Sequence, residues 1–136
     1  MKKIFVYECG IFNSQLLIVV GKKAKDIKEW AKKSPKLFKE CLDNKEIYGK
    51  LEEAINTNPG FLFTFYDSKK TNYYILYLED FEDTWKWLDI LNHEIVHYRQ
   101  YQFSERKIED EKEFEAYFQE NVFREVRKLL WKKIKK

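Results

Sequence analysis

Histidine is almost missing from this chain: there are two in 136 residues, His93 and His97. Cysteine and proline are equally scarce at two each, and there are four glycines. Cys9 and Cys41 form no C-x-x-C pair, which excludes a disulfide framework and reads as two reduced thiols in a cytoplasmic protein. So little Pro and Gly excludes collagen-like and linker-dominated chains. The longest aliphatic run, Leu16–Val20, is far short of the roughly 20 residues that cross a bilayer. Met1-Lys2-Lys3 before Ile4-Phe5-Val6-Tyr7 opens as an export signal would, but Glu8 interrupts it, where an apolar stretch of roughly 7–15 residues is required. That segment reads as a strand.

A strong excess of one charge is also lacking. The 26 Lys+Arg and 23 Asp+Glu leave a formal +3, too little to argue for nucleic acid from the whole chain. The near-balance hides segregation: ten Lys face five acids over residues 22–50, twelve acids face five bases over 79–115, and seven bases face two acids over 116–136. Each block alternates with apolar residues at helical spacing, as solvated helix faces do. What is abundant is core material, with 44% hydrophobic and 18% aromatic residues. That amount and length suit one domain spanning residues 1–136.

The pattern along the chain predicts an α+β fold with a small, mostly antiparallel sheet packed against helices. β-branched and aromatic runs give strands over Lys3–Glu8 and Gln15–Val20, joined by a turn through Gly10, Asn13 and Ser14. Helical spacing follows over 24–34 and 36–55, with Pro35 as a stop or a fresh start and a break near Gly49. Asn56–Gly60 is a loop. Phe61–Tyr66 and Asn72–Leu78 flank the polar turn Asp67–Lys70 as a hairpin. A long helix is expected from Thr84 or Trp85 to Phe103, with Asp83 or Thr84 as N-cap, and a last helix over Glu111–Lys133. The N-terminal strands and helices thus occupy residues 1–58, and the hairpin, the histidine helix and the glutamate-bearing helix occupy 59–136.

Both histidines fall in one pentapeptide, His93-Glu94-Ile95-Val96-His97. Four residues is a little over one helical turn, so the two imidazoles leave one face and can share a metal, while Glu94 leaves about 100° away. That is the H-E-x-x-H arrangement of zinc hydrolases, with Glu94 as general base. Random shuffling of this composition would produce it in roughly 0.3% of sequences, the false-positive risk such a motif carries. An open zinc site takes three protein ligands, and no third histidine exists. The acidic run Glu109, Asp110, Glu111, Glu113 and Glu115 offers carboxylates. A helical wheel puts Glu115 nearer the apolar stripe of Phe114, Phe118 and Val122, whereas Glu113 and Ala116 have an E-x-x-A form that resembles the third-ligand helix of glutamate-ligated zinc peptidases, a resemblance that implies Glu113.

Residues from about Phe61 to Leu130 resemble small H-E-x-x-H proteins of phages and prophages, regarded as zinc metallopeptidases. The likeness is carried by the aromatic hairpin Tyr74–Leu78, the acidic connector Glu79–Asp83, Trp85 and Trp87, His93–His97, Glu113–Tyr117 and Arg124. It implies a zincin-like core holding Zn2+ on His93, His97 and Glu113. The implied activity is peptide-bond hydrolysis by a metal-activated water with Glu94 as base, and the implied partner is a peptide or protein. Tyr117, Tyr98 and Arg124 are then the groups to consider for stabilising an oxyanion. Tyr74–Leu78 is either an exposed edge that accepts substrate by strand addition or a strand packed on both sides. The alternative is a zinc-binding module of phage origin that engages a host protein without turnover. The basic run Arg127–Lys136 is compatible with an accessory membrane-surface or nucleic-acid contact.

Overall fold

The computed structural model describes residues 2–12, 14–33, 42–66, 72–109 and 111–134. Its strands are β1 (Lys3–Cys9), β2 (Ser14–Val20), β3 (Gly60–Tyr66) and β4 (Asn72–Leu78). Its helices are α1 (Ala24–Lys33), α2 (Lys45–Thr57), α3 (Trp85–Glu105) and α4 (Lys112–Ile134). The α+β class is as expected, and the strands, α1, α3 and α4 fall within a few residues of their sequence patterns. The helix expected over 36–55 instead begins at Lys45, after a turn at Asp43 and Asn44, and residues 34–41 lie outside the described residues. Asn13, Pro35, Cys41, the turn Asp67–Lys70 and Asp110 lie outside the described residues.

The strands form one open sheet in the order β1-β2-β4-β3. β1–β2 and β3–β4 pair antiparallel, but β2 and β4 run parallel, from Leu16 opposite Tyr74 to Val20 opposite Leu78. The sheet is therefore mixed rather than simply a chain of hairpins. Residue patterns mark strands without saying which ones pair, and parallel neighbours need a long crossover, here supplied by the α1–α2 region. β4 consequently lies inside the sheet, so Tyr74–Leu78 is packed on both sides and β3 forms the edge.

Both faces of the sheet are covered. Phe5, Tyr7, Leu16, Ile18, Tyr74 and Leu76 point to one side and pack with Leu91, Ile95, Phe118 and Val122 of α3 and α4. Leu17, Val19, Ile75 and Tyr77 point to the other, against Ile27 and Ala31 of α1 and Leu51 of α2. Alternate side chains of a strand leave opposite faces. A strand covered on both sides has no position left for a polar residue, which is why β2 and β4 read as unbroken apolar runs.

Local chemistry sets the helix ends. The Asn44 side chain accepts from the N–H groups of Glu46 and Ile47 and starts α2, which passes Gly49 without a break. Thr84 occupies the N-cap position of α3 but makes no side-chain cap bond. Asp83 turns instead to Arg127 of α4, whose Nε and Nη2 donate to its two carboxylate oxygens at 2.9 and 3.0 Å. At the other end of α3, Tyr98 Oη and Gln102 Nε2 both donate to Ser14 Oγ at 2.9 Å. Arg106 donates to Gln102 Oε1 and, at 2.9 Å, to the Phe12 carbonyl. This part-buried network locks the β1–β2 turn to the histidine helix.

Gly60 decides how closely α3 approaches the sheet edge. A Cβ there would collide with Ile90 Cγ2 and stand 3.4 Å from Leu78 Cδ2 and the Tyr77 carbonyl oxygen. Overpacking of this kind costs about 1–3 kcal/mol, so Gly60→Ala is expected to lower the melting temperature. The loss should shrink in an Ile90→Ala background, which removes the colliding methyl. An equal loss in both backgrounds, read from thermal melts of all four proteins, would show that this contact is not what limits the approach.

Candidate metal centre

β3 and α3 run side by side in matched steps. Two residues of strand advance about 6.8 Å and four residues of helix about 6 Å. Gly60 therefore sits against Ile90, and two residues further on the Leu62 N–H reaches the Glu94 carboxylate. Two further on again, Thr64 pairs with Tyr74, whose ring meets Tyr98 at 5.2 Å and Tyr101 at 6.4 Å between centroids. The abutment gives Glu94 its place: it is buried at 6% exposure.

His93 and His97 emerge one turn apart on the outer side of that flank, His93 exposed and His97 half-buried. Their rings are nearly perpendicular, at 86° with centroids 4.7 Å apart, and their Nε2 atoms are 3.1 Å from one another. His97 Nδ1 lies 3.1 Å from Gln100 Oε1. The amide oxygen can only accept, so Nδ1 carries the proton and Nε2 keeps its lone pair for a ligand. Two imidazole nitrogens sharing a tetrahedral zinc at 2.0–2.1 Å stand about 3.3 Å apart, close to the spacing found. The donor set and its spacing thus fit a metal ion.

The Glu94 carboxylate completes a group whose three ligand atoms all lie within 4.8 Å of one another. Burial pushes this carboxyl above its ordinary value of 4.5, while His93, His97 and the Leu62 N–H hold the rise back. A base drawn toward neutrality by burial suits proton transfer better than an ordinary surface carboxylate.

Among the described residues, no further acid, histidine or cysteine joins that group. Glu113 is exposed and Glu115 half-buried, both in the first turn of α4. Gln119 Nε2 donates to Asn92 O and Oδ1 at 3.2 and 2.8 Å, which fixes where α4 passes the residue preceding His93. Glu113 lies six residues before that crossing, about 9 Å along the helix axis. Glu111 has a capping role, its Oε2 accepting from the Phe114 N–H at 3.0 Å. Of the groups considered for an oxyanion, Tyr98 is fully buried with its hydroxyl donated to Ser14. Tyr117 is exposed on α4, and Arg124 lines a groove with Phe123 and Lys128.

Three neighbours of the site escape a reading of the sequence alone. Gln100 stands three residues after His97, a spacing that marks it as a neighbour but not as a partner. Tyr101, 45% exposed, follows His97 by four residues and continues the Glu94 flank. The Leu62 N–H leaves no signal in residue type, because it depends on which strand forms the edge. Comparison with protein-family models, curated proteins and solved structures returns no match.

The buried carboxyl makes stability depend on pH. Below 4.5 Glu94 is neutral folded and unfolded, and its burial carries no charge penalty. As pH rises from 4.5 through the raised folded value, the unfolded chain releases the proton first and stability falls. Glu94→Gln keeps an acceptor for Leu62 but does not titrate. In metal-free protein its melting temperature should match wild type near pH 4 and exceed it at pH 7–8. A constant difference across that range would mean that Glu94 is not strained by its burial.

Proposed function

We propose that this protein is a zinc-dependent metallopeptidase of minimal zincin-like form, in which His93 and His97 hold the metal and Glu94 is the general base. The observation carrying this reading is the converged Nε2 pair, with His97 oriented by Gln100, beside a carboxyl whose pKa is raised by burial. Zn2+, when bound, supplies Lewis acidity and lowers the pKa of a coordinated water to about 7. Glu94 takes the proton of the attacking water and later delivers it to the departing amine, a role worth about 10²–10⁴ in rate. The Leu62 N–H keeps that carboxylate oriented while its other lone pairs face the imidazoles.

The substrate we infer is an extended peptide. In an antiparallel ladder a residue turns its N–H and C=O the same way, and Leu62 turns its N–H toward Glu94, away from β4. With the Leu62 N–H taken by Glu94, the backbone left for a peptide to add as a further strand is the Leu62 C=O and the outward groups of Thr64, the next residue of β3 that faces the same way. This gives to β3 the role that the sequence reading weighed for Tyr74–Leu78.

Glu113 remains the third ligand we propose, on its E-x-x-A spacing; reaching the histidines requires the first turn of α4 to shift toward them as metal binds. One observation favours a second reading, a zinc-binding interaction module without turnover, such as a phage-type factor that engages a host protein. The Glu94 carboxylate is itself within 4.8 Å of both imidazole ligand atoms and can coordinate directly, which would leave no base.

Zinc content and hydrolysis of a fluorescein-labelled unfolded protein, measured together, separate these readings. For the peptidase, wild type retains about one zinc, as sites of this type do, and cleaves. Glu94→Ala then keeps the metal and loses at least a hundredfold in rate, and Glu113→Ala loses metal. Metal lost in Glu94→Ala but kept in Glu113→Ala would establish the non-catalytic module. Wild type that binds no zinc after supplementation would overturn both.

A further inference from the structure

The second half of α4 carries a feature that the metal centre does not use. A groove of about 410 Å³ is lined by Asp83, Phe123, Arg124, Arg127, Lys128, Trp131 and Lys132. Its size is that of pockets which enclose small ligands. Arg124, Lys128 and Lys132 recur every fourth residue, so their charges form a row with a rise of about 6 Å per step. Phe123, Arg127 and Trp131 form a second row with the same spacing, each carrying a planar group and each lining the groove. Arg127 is held by both carboxylate oxygens of Asp83, so its fork is spent and its planar face is what remains. Trp131 is 42% exposed.

A row of cations beside a row of planar groups is complementary to phosphates strung beside bases. We propose that this groove binds single-stranded nucleic acid over a few nucleotides, with Arg124, Lys128 and Lys132 on the phosphates. Trp131, Phe123 and the Arg127 face take the bases, since stacking on aromatic and guanidinium planes is how unpaired bases are held. An anionic membrane fits less well. The apolar stripe a membrane helix would insert is already committed to the core, with Val122, Val126 and Leu130 fully buried. An acidic peptide fits less well too, because its carboxylates would engage the cationic row and leave the planar row without a partner. The depression continues toward Trp85, Asp89 and Asn92, where Asp89 ends the phosphate-binding stretch. The whole-chain charge conceals this site, because the basic half of α4 is offset by the acidic residues 79–115.

The test is fluorescence titration of the full chain with short fluorescein-labelled oligothymidine. Three phosphate contacts on a single strand predict a slope of about −2 for log K against log salt. Lys128→Glu/Lys132→Glu should weaken binding at least tenfold at low salt and flatten the slope to about −0.7. Trp131→Ala should lose about 5- to 150-fold through lost stacking. Lys50→Glu on α2, exposed and remote in the fold, should change affinity less than twofold. These positions are exposed, and circular dichroism confirms that each variant folds. The proposal is overturned if oligothymidine does not bind at millimolar concentration, or if the slope is unchanged in the double variant. It is equally overturned if duplex DNA, poly-glutamate or phosphatidylserine vesicles bind as tightly as the single strand.

Discussion

The hydrogen bond from the Leu62 N–H to the Glu94 carboxylate joins the edge of the sheet to the middle of the histidine helix, and the rest of the site follows from it. That bond requires β3 and α3 to lie nearly in contact, which a side chain at Gly60 would prevent. It requires the outer backbone of β3 to remain unpaired by another strand, which the order β1-β2-β4-β3 provides. It also draws a carboxylate out of water, on a helix flank where Ile90, Leu91 and Tyr98 are its neighbours one turn away. With Glu94 fixed on the inner flank, the helical period leaves His93 and His97 on the outer one, converging where a ligand can reach them.

This arrangement costs stability. A buried carboxylate with one backbone donor and two imidazoles beside it is less well solvated than in water. The rest of α3 offsets it through ordinary means: Trp87, Leu91, Ile95 and Tyr98 fill the space under β2 and β4, and the Ser14–Gln102–Arg106 network holds the far end. The site is thus a locally unfavourable insertion in a helix that is otherwise well packed, the pattern expected where chemistry rather than stability governs a position.

Much of this was legible in the residues. The alternation of β1, the apolar runs of β2 and β4 and the i+4 stripe of Phe114, Phe118, Val122 and Val126 set the elements nearly to their ends. The spacing of His93 and His97 placed two donors on one helical face, as found. Pairing was not legible: nothing in Leu16–Val20 or Tyr74–Leu78 says that they lie parallel, because both strands are buried on both faces and carry no polar side to orient them. The edge role of β3, and with it the Leu62 donor, was hidden for the same reason. The capping of α3 misled as well, since Asp83 is a good N-cap residue by type but finds a stronger partner in Arg127, distant in sequence. At the start of α4 the residue types allow several carboxylates. Among the described ones, the structure gives a definite partner only to Glu111, at the Phe114 N–H.

The parallel pairing of β2 with β4 also orders events in time. Leu16 meets Tyr74, 58 positions later, so closing that contact costs more chain entropy than either hairpin does. The two imidazoles are neighbours within one turn of α3 and exist as a pair whenever that helix forms. Glu94 acquires its low-dielectric surroundings only after β4 has entered the sheet and brought β3 alongside. The pairing of the two imidazoles and the altered basicity of Glu94 are therefore separable in folding: the first belongs to a single helix, the second to the completed sheet.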